Sequence, residues 1–296
     1  MHCPICGKEK TVSFFAKAQS SDALIRKMSL TQCANCRVVF AQNYQVDRKA
    51  IYNKNYATWG ADLANELAAV SEAKKVSFVH QLEKIKKFID PQNKKLLDVG
   101  TGGGFLLEVA TAMGFNCFGI EPATYACQLA KNKFGEKIFC GTLEQARYPD
   151  IFFDVICLTD VLEHLKEPLK TLQEVNRILK PGGFIFVISP DTNSLSKKIL
   201  GTNWFQYKYE HLFYFNKKSF RFIMEEAGFE IALFTTNVKK LSLAYYRQYF
   251  KKYRLIGVSR VFNLISDYLP RRILKLSFSN PITGEFLAIA RKKNIR

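Results

Sequence analysis

Two cysteine pairs, Cys3-Pro-Ile-Cys6 and Cys33-Ala-Asn-Cys36, lie near the start of the 296-residue chain. Thiolates at i and i+3 converge on one metal ion when a tight turn joins them, and two such pairs complete a tetrahedron. Cys3, Cys6, Cys33 and Cys36 therefore form a candidate zinc site. Four thiolates leave no open coordination position, so the expected role is structural. A redox Cys-x-x-Cys needs only one pair, at the start of a helix in a thioredoxin-like setting. Neither condition is met.

A second constellation begins at Leu96-Leu97-Asp98-Val99-Gly100-Thr101-Gly102-Gly103-Gly104. It reads as a buried strand running into a glycine loop. Glycines let the backbone turn sharply and let a ligand approach where a Cβ would clash. In an open parallel sheet, ligands bind beyond the carboxyl ends of the strands, where such a loop lies. Glu121 ends the next strand, and a carboxylate there can accept both hydroxyls of a ribose. Two nucleoside cofactors fit this outline. A dinucleotide site wants Gly-x-Gly-x-x-Gly, and Phe105 occupies its third glycine position. The observed run is Asp98-x-Gly100-x-Gly102-x-Gly104 instead.

The elements that must carry these residues alternate. Strands are expected at Lys95–Val99, Asn116–Ile120, Lys137–Cys140, Phe153–Leu158, Phe184–Ser189 and Ile231–Thr235. Helices are expected at Phe105–Met113, after Pro122, at Leu169–Leu179 and near Lys218–Ala227. Apolar residues at helical spacing predict a further helix over 61–89, stopped by Pro91. Lys180-Pro181-Gly182-Gly183 reads as a turn, and Gly284–Arg291 as a late strand at the sheet edge. Such alternation implies parallel βαβ units with helices on both faces, a doubly wound Rossmann-like α/β sheet. The runs Val155–Leu158 and Phe184–Ile188 suit strands buried on both faces.

With those segments in order, the chain resembles the class I S-adenosylmethionine-dependent methyltransferases over roughly residues 46–236 and the final strand. The resemblance implies that Asp98, Gly100, Thr101, Gly102, Gly104 and Glu121 contact the cofactor. It implies that Thr142 and Leu143, after the third strand, lie around the adenine. The family often has Asp directly after the glycine there, where this chain has Thr142. Thr159 and Asp160 would face the methionine part. The implied reaction is in-line displacement of a sulfonium methyl, with the protein aligning donor and acceptor and removing the acceptor proton.

The segment after the fifth strand also resembles that of bacterial methyltransferases that carry an N-terminal zinc ribbon and act on sugars or small metabolites. His211 is the candidate general base, because imidazole titrates near neutral pH. Glu210 is the candidate that orients it, although neighbours in an extended segment point to opposite faces. His164 is a second candidate base. Trp204, Tyr207 and Tyr209 either wall the acceptor pocket or cover the sheet.

The net charge of +18 is uneven: residues 237–296 hold fourteen Lys/Arg against Asp267 and Glu285. The organisation expected is a zinc-ribbon-like module at 1–45 and a helical cap at 46–93. A Rossmann-like domain covers 94–236 and 284–296, with a basic amphipathic insertion at 237–283. That insertion suits a lid on the sheet, an anionic membrane surface or nucleic acid. No signal peptide or spanning helix is legible, so the expected compartment is the cytoplasm, with a peripheral membrane association as its variant. Cys117, Cys127, Cys140 and Cys157 are expected as buried thiols, not disulfides. The expected function is methyl transfer to a small-molecule or glycan acceptor, with structural zinc. An RNA methyltransferase and a non-catalytic cofactor-fold binding module are the alternatives. The Asn/Asp-Pro-Pro run of exocyclic-amine enzymes and the Pro-Cys of cytosine C5 enzymes are both missing.

Overall fold

The computed structural model describes residues 2–16, 28–42, 74–208, 210–243, 266, 269–270, 273 and 277–293. The strands are β1 (Thr11–Ala16), β2 (Met28–Cys33), β3 (Val39–Ala41), β4 (Lys95–Val99) and β5 (Asn116–Glu121). They continue with β6 (Ile138–Cys140), β7 (Phe153–Thr159), β8 (Leu179–Pro190), β9 (Phe213–Tyr214) and β10 (Phe229–Thr236). The last are β11 (Lys239–Ser242), β12 (Ser277–Asn280) and β13 (Glu285–Lys292). The helices are α1 (residues 74–82), α2 (Phe105–Ala112), α3 (Thr124–Phe134) and α4 (Leu143–Ala146). They are followed by α5 (Pro168–Ile178), α6 (Leu195–Leu200) and α7 (Lys217–Glu226). Of the expected helix over 61–89, residues 61–73 fall outside the described residues, and the described α-helix ends at 82, where a turn and a 3-10 segment at Ile85–Lys87 lead on to Pro91.

Among the described residues the main sheet has the order β10-β13-β8-β7-β4-β5-β6. Strands β6, β5, β4, β7 and β8 are parallel, while β13 runs antiparallel to both β8 and β10. From β4 the chain winds outward through β5 and β6, then returns to β7 on the other side of β4. In an open sheet such a reversal is where ligands bind, beyond the carboxyl ends of β4 and β7. Alternate residues of each strand feed the two cores. Leu97, Val99, Ile156, Leu158, Ile185 and Val187 pack under α5 and α7, and Leu96, Val155, Cys157, Phe184 and Phe186 under α2 and α3.

Three expectations change here. The late strand β13 is interior, and β10 forms the edge, because β10 and β13 pair as an antiparallel ribbon that docks through β13 onto β8. Lys180-Pro181-Gly182-Gly183 is an irregularity inside β8, which already pairs with β7 at Phe153↔Leu179 and resumes at Val155↔Phe184. A Cβ on Gly183 would stand 2.9 Å from two backbone carbonyl oxygens, so that kink needs glycine. Cys127 and Cys140 form a disulfide: α3 returns onto β6 and brings their Cα atoms to 5.6 Å. Cys117 and Cys157 are buried free thiols, as expected.

The cysteine segment forms its own sheet, β1-β2-β3-β9, whose last strand comes from the Rossmann-like region. Val39 pairs with Tyr214 and Phe40 with Phe213. Ile5, Val38 and Phe40 join the same core as Leu158, Leu162 and Leu212. Of the basic insertion, the described part is chiefly its base, the antiparallel pair β11-β12. Residues 244–265, with most of the insertion's aromatic and basic residues, fall outside the described residues. No described helix is long and apolar enough to cross a membrane.

The disulfide makes a countable prediction. Denatured, metal-free and unreduced protein should react with six equivalents of thiol reagent, matching six free cysteines, and with more only after reduction. Equal counts before and after reduction would contradict the pairing.

Candidate active site

The loop after β4 is built on three left-handed glycines. Gly100, Gly102 and Gly104 have φ of 76°, 55° and 81°, a region that L side chains rarely adopt. A Cβ on Gly100 would meet Val161 at 2.7 Å, and one on Gly104 would meet Phe134 at 2.9 Å. At Gly102 nothing lies within 4 Å of that position. Two N–H groups of the loop, those of Gly100 and Thr101, donate to the Ile120 carbonyl at 2.8 and 2.9 Å.

Glu121 closes the site from β5. Its Oε2 accepts from Gly102 N–H and its Oε1 from Ala123 N–H, both at 2.8 Å. Burial raises its pKa, and those two N–H groups oppose the rise. Each oxygen keeps a second acceptor direction for a ribose hydroxyl.

Asp98 is 1% exposed at the end of β4. Burial pushes its carboxyl up to about 7, Thr101 opposes the shift, and the Glu121 charge adds to it. Thr101 stands close, yet its hydroxyl and Asp98 Oδ1 make no hydrogen bond of normal geometry among the described residues. A buried carboxylate oxygen in that state suits a cationic ligand group.

The other expected cofactor positions surround this pair. Thr142 caps α4: its hydroxyl accepts from Gln145 N–H at 3.4 Å, and its own N–H donates to Gln145 Oε1 at 2.9 Å. The Thr142 side chain is thus engaged locally, and Leu143 at the first helical position has an N–H with no intrahelical acceptor. Thr159 ends β7. Asp160 follows with φ 56°, a strained value for a non-glycine residue. Desolvation would raise the pKa of Asp160, but Lys239, Lys208 and Lys74 outweigh it and hold the carboxyl low. Lys239 Nζ lies 3.8 Å from Asp160 and 2.7 Å from Glu285.

Beyond Asp160, the turn Leu162–His164 meets the loop before β9. His164 Nδ1 lies 3.0 Å from the Glu210 carbonyl, and the His164 and His211 rings meet edge to face at 4.7 Å. Glu210 thus touches this cluster through its backbone. The carboxylate that comes within 4.8 Å of the two imidazoles is that of Glu163. Glu163 is 1% exposed and accepts from Ser189 Oγ at 2.9 Å. Burial, with the Asp160 charge, pushes its carboxyl up to about 8. Its sequence signal was an acid between Leu162 and Leu165 in an otherwise apolar stretch. Trp204 and Tyr207 are fully buried with Tyr214 against Leu30 and Val39, so they pack the cysteine module and do not wall a pocket. Tyr209 falls outside the described residues. A shallow surface cavity beside Lys87, Asp154 and Gly183 lies at the opposite ends of the strands.

In the cysteine module, Cys3 Sγ–Cys36 Sγ is 3.6 Å and Cys6 Sγ–Cys33 Sγ is 3.5 Å. Thiolates about 2.3 Å from a tetrahedral zinc ion stand roughly 3.8 Å apart, so the four sulfurs fit zinc. The pairing with Cys36 pushes Cys3 down to about 5.

A mostly parallel sheet with a glycine loop and a ribose-height carboxylate at its reversal point is a nucleoside-cofactor-binding α/β protein. A family model of the methyltransferase domain matches residues 69–233, and the chain belongs to that family. Over 103 residues it is 34% identical to the ubiquinone biosynthesis O-methyltransferase of Actinobacillus pleuropneumoniae serotype 7 (strain AP76), covering 31% of this chain and 44% of the relative. Over 149 residues it is 27% identical to the protein of the same name from Hydrogenovibrio crunogenus (strain DSM 25203 / XCL-2), covering 48% and 59%. The chain spans about half the length of these relatives. In fold it is similar to a SAM-dependent methyltransferase from Thermotoga maritima, with TM-score 0.53, 18% identity, and coverage of 83% of this chain and 100% of that one.

Asp98 generates a prediction about stability. In the unfolded chain its carboxyl ionises near 3.8, and in the folded protein near 7. Ionisation therefore favours unfolding, and folded stability falls as pH rises from about 4 to about 7, then levels. The full effect is on the order of a few kcal/mol. Asp98→Asn should melt increasingly above the wild-type protein as pH rises from 4 to 8; a constant gap in thermal melts would contradict the assignment.

Proposed function

We propose that the protein is an S-adenosylmethionine-dependent methyltransferase acting on a hydroxyl of a small-molecule acceptor. The observation that carries this reading is the pairing of Glu121 with a glycine loop whose one open Cβ direction is at Gly102. Glu121 would take the ribose hydroxyls, and Leu143 N–H would lie at the adenine. Asp98 would answer the cofactor's cationic end, and Thr159 and Asp160 would border its methionine part. Membership of the methyltransferase-domain family and relatives named as O-methyltransferases support the same reading. Bound there, the cofactor supplies an activated methyl group for in-line transfer.

The chain's own residues would orient the acceptor and receive its proton. His211 would lie on the acceptor side; the His164 ring beside it and the buried Glu163 carboxylate near both support that reading. A glycan hydroxyl belongs to the same acceptor class, so an acceptor screen should include sugar nucleotides beside phenols. The four thiolates would hold a structural zinc ion, and the basic insertion at 237–283 would serve as a lid.

Three variants separate the roles. Gly102→Val projects a branched side chain into the cofactor's space and should weaken S-adenosylmethionine binding at least about tenfold by calorimetry, since a steric clash of this kind exceeds about 1.4 kcal/mol. His211→Ala should keep cofactor affinity and lose about two orders of magnitude or more in turnover, the usual scale of proton-transfer catalysis. Unchanged affinity in the first or unchanged turnover in the second would overturn the corresponding role. Cys33→Ser should lower the melting temperature and, through β3 and β9, impair turnover more than cofactor affinity. Equal loss of both would contradict that coupling.

A further inference from the structure

Three lysines from three separate elements converge on Asp160, at the carboxyl end of β7. Lys74 opens α1, Lys208 lies in the loop before β9, and Lys239 opens β11. All three act on the Asp160 carboxylate. Burial brings Lys74 down to about 8; the Asp160 charge opposes that fall, and Lys239 and Lys208 add to it. The three ammonium groups therefore stand close enough to repel one another. Glu163, pushed up to about 8, adds little negative charge at neutral pH. Lys239 is also held by a buried network. It donates to Glu285 Oε1 at 2.7 Å, where Gln206 Nε2 donates at 3.0 Å, and Asn237 Nδ2 donates to Oε2 at 2.8 Å. Gln81 of α1 donates to Asn237 Oδ1 at 2.9 Å. Glu285 pairs with Pro190, so the network sits where β8 ends. Lys208 is placed from its backbone: its carbonyl accepts from His211 N–H at 3.1 Å and from the Tyr214 hydroxyl at 3.2 Å. Lys74 Nζ lies 5.9 Å from the ring centre of Phe105, the residue after the glycine loop.

We propose that Lys74, Lys208 and Lys239 form an anion subsite near His211, and that the acceptor carries a carboxylate or phosphate beside its reacting hydroxyl. Gathering like charges costs free energy that an anionic ligand returns, and cations lining one end of a site draw such a ligand in. Ammonium groups bind either anion as point charges, with three donors each. Asp160, 3.8 Å from Lys239, holds part of that charge until the cofactor's own ammonium takes its place. Held by its anionic group, the acceptor would present its hydroxyl in a fixed orientation toward the methyl group and His211. The word acceptor rests on the methyl-transfer reading; the binding of an anion by the three lysines does not.

Paired probes test it by calorimetry on the full-length protein, with and without saturating S-adenosylhomocysteine, the demethylated cofactor that permits no turnover. One pair is 3,4-dihydroxybenzoate and catechol, which differ by a carboxylate. The other is glucose 1-phosphate and glucose, which differ by a phosphate. In at least one pair the anion should bind at least about tenfold more tightly than its neutral partner, the scale of one hydrogen bond to a charged group. The pair that shows the preference tells carboxylate from phosphate. Lys208→Gln and Lys239→Gln should each remove most of that preference, and Lys208→Arg should keep it. Neither should weaken S-adenosylmethionine binding, because Asp160 loses a competing cation. Lys208 is partly exposed in a loop, so its variant decides the matter if Lys239→Gln does not fold. No preference for either anion, or a preference that survives Lys208→Gln, overturns the proposal. So does a tenfold loss of S-adenosylmethionine affinity in these variants, which would give the lysines to the cofactor's own carboxylate. S-adenosylmethionine binding without anion preference sinks the subsite alone. A lysine-dependent anion preference without S-adenosylmethionine binding sinks the methyl-transfer reading alone.

Discussion

The carboxylate of Glu121 is the constraint on which the site depends. One oxygen holds the loop after β4 at Gly102, and the other holds Ala123, the residue just before α3. The chain leaves β4 and β5 in separate connections, and this single side chain fixes both relative to the sheet. It is buried, so each N–H it accepts from offsets the cost of holding its charge there. A ligand that also bonds to it meets a carboxylate already aimed, which spares the ordering cost of binding. Asp98 stands in contrast: burial and the nearby Glu121 charge disfavour its ionised form.

A second dependence runs through β9. Its two residues pair with β3 of the cysteine module, while Leu212, just before them, bonds to Glu163 on the other side. His211 precedes Leu212. The module at the chain's start is therefore tied through β3 and β9 to the loop that carries His211, more than 170 positions later in the chain. Such a small sheet draws its stability from the shared core and not from its own apolar residues alone.

Elements with strong local signals were legible in the sequence. The strand-glycine-helix run, Glu121 and the parallel strands announce themselves because buried strands need unbroken apolar runs and tight turns need glycine. Features set by distant pairing were not. The two-residue β9 has no periodicity to detect. The interior place of β13 depends on antiparallel docking onto β8, which its apolar pattern shares with an edge strand. Cys127 and Cys140 meet only once α3 folds back on β6. Glu163 carries little sequence signal because its neighbours Leu162 and Leu165 read as core, and the carboxylate near His211 is Glu163 and not the adjacent Glu210. The two residues met a partner across the fold, which spacing along the chain does not disclose.

The central claim is that the crevice at the reversal point between β4 and β7 takes S-adenosylmethionine. Isothermal titration of the zinc-loaded wild-type protein with S-adenosylmethionine, and separately with NAD, tests it most directly. Micromolar binding of S-adenosylmethionine without NAD binding is the result this account predicts. Binding of NAD alone, or of neither ligand to the folded protein, would contradict it.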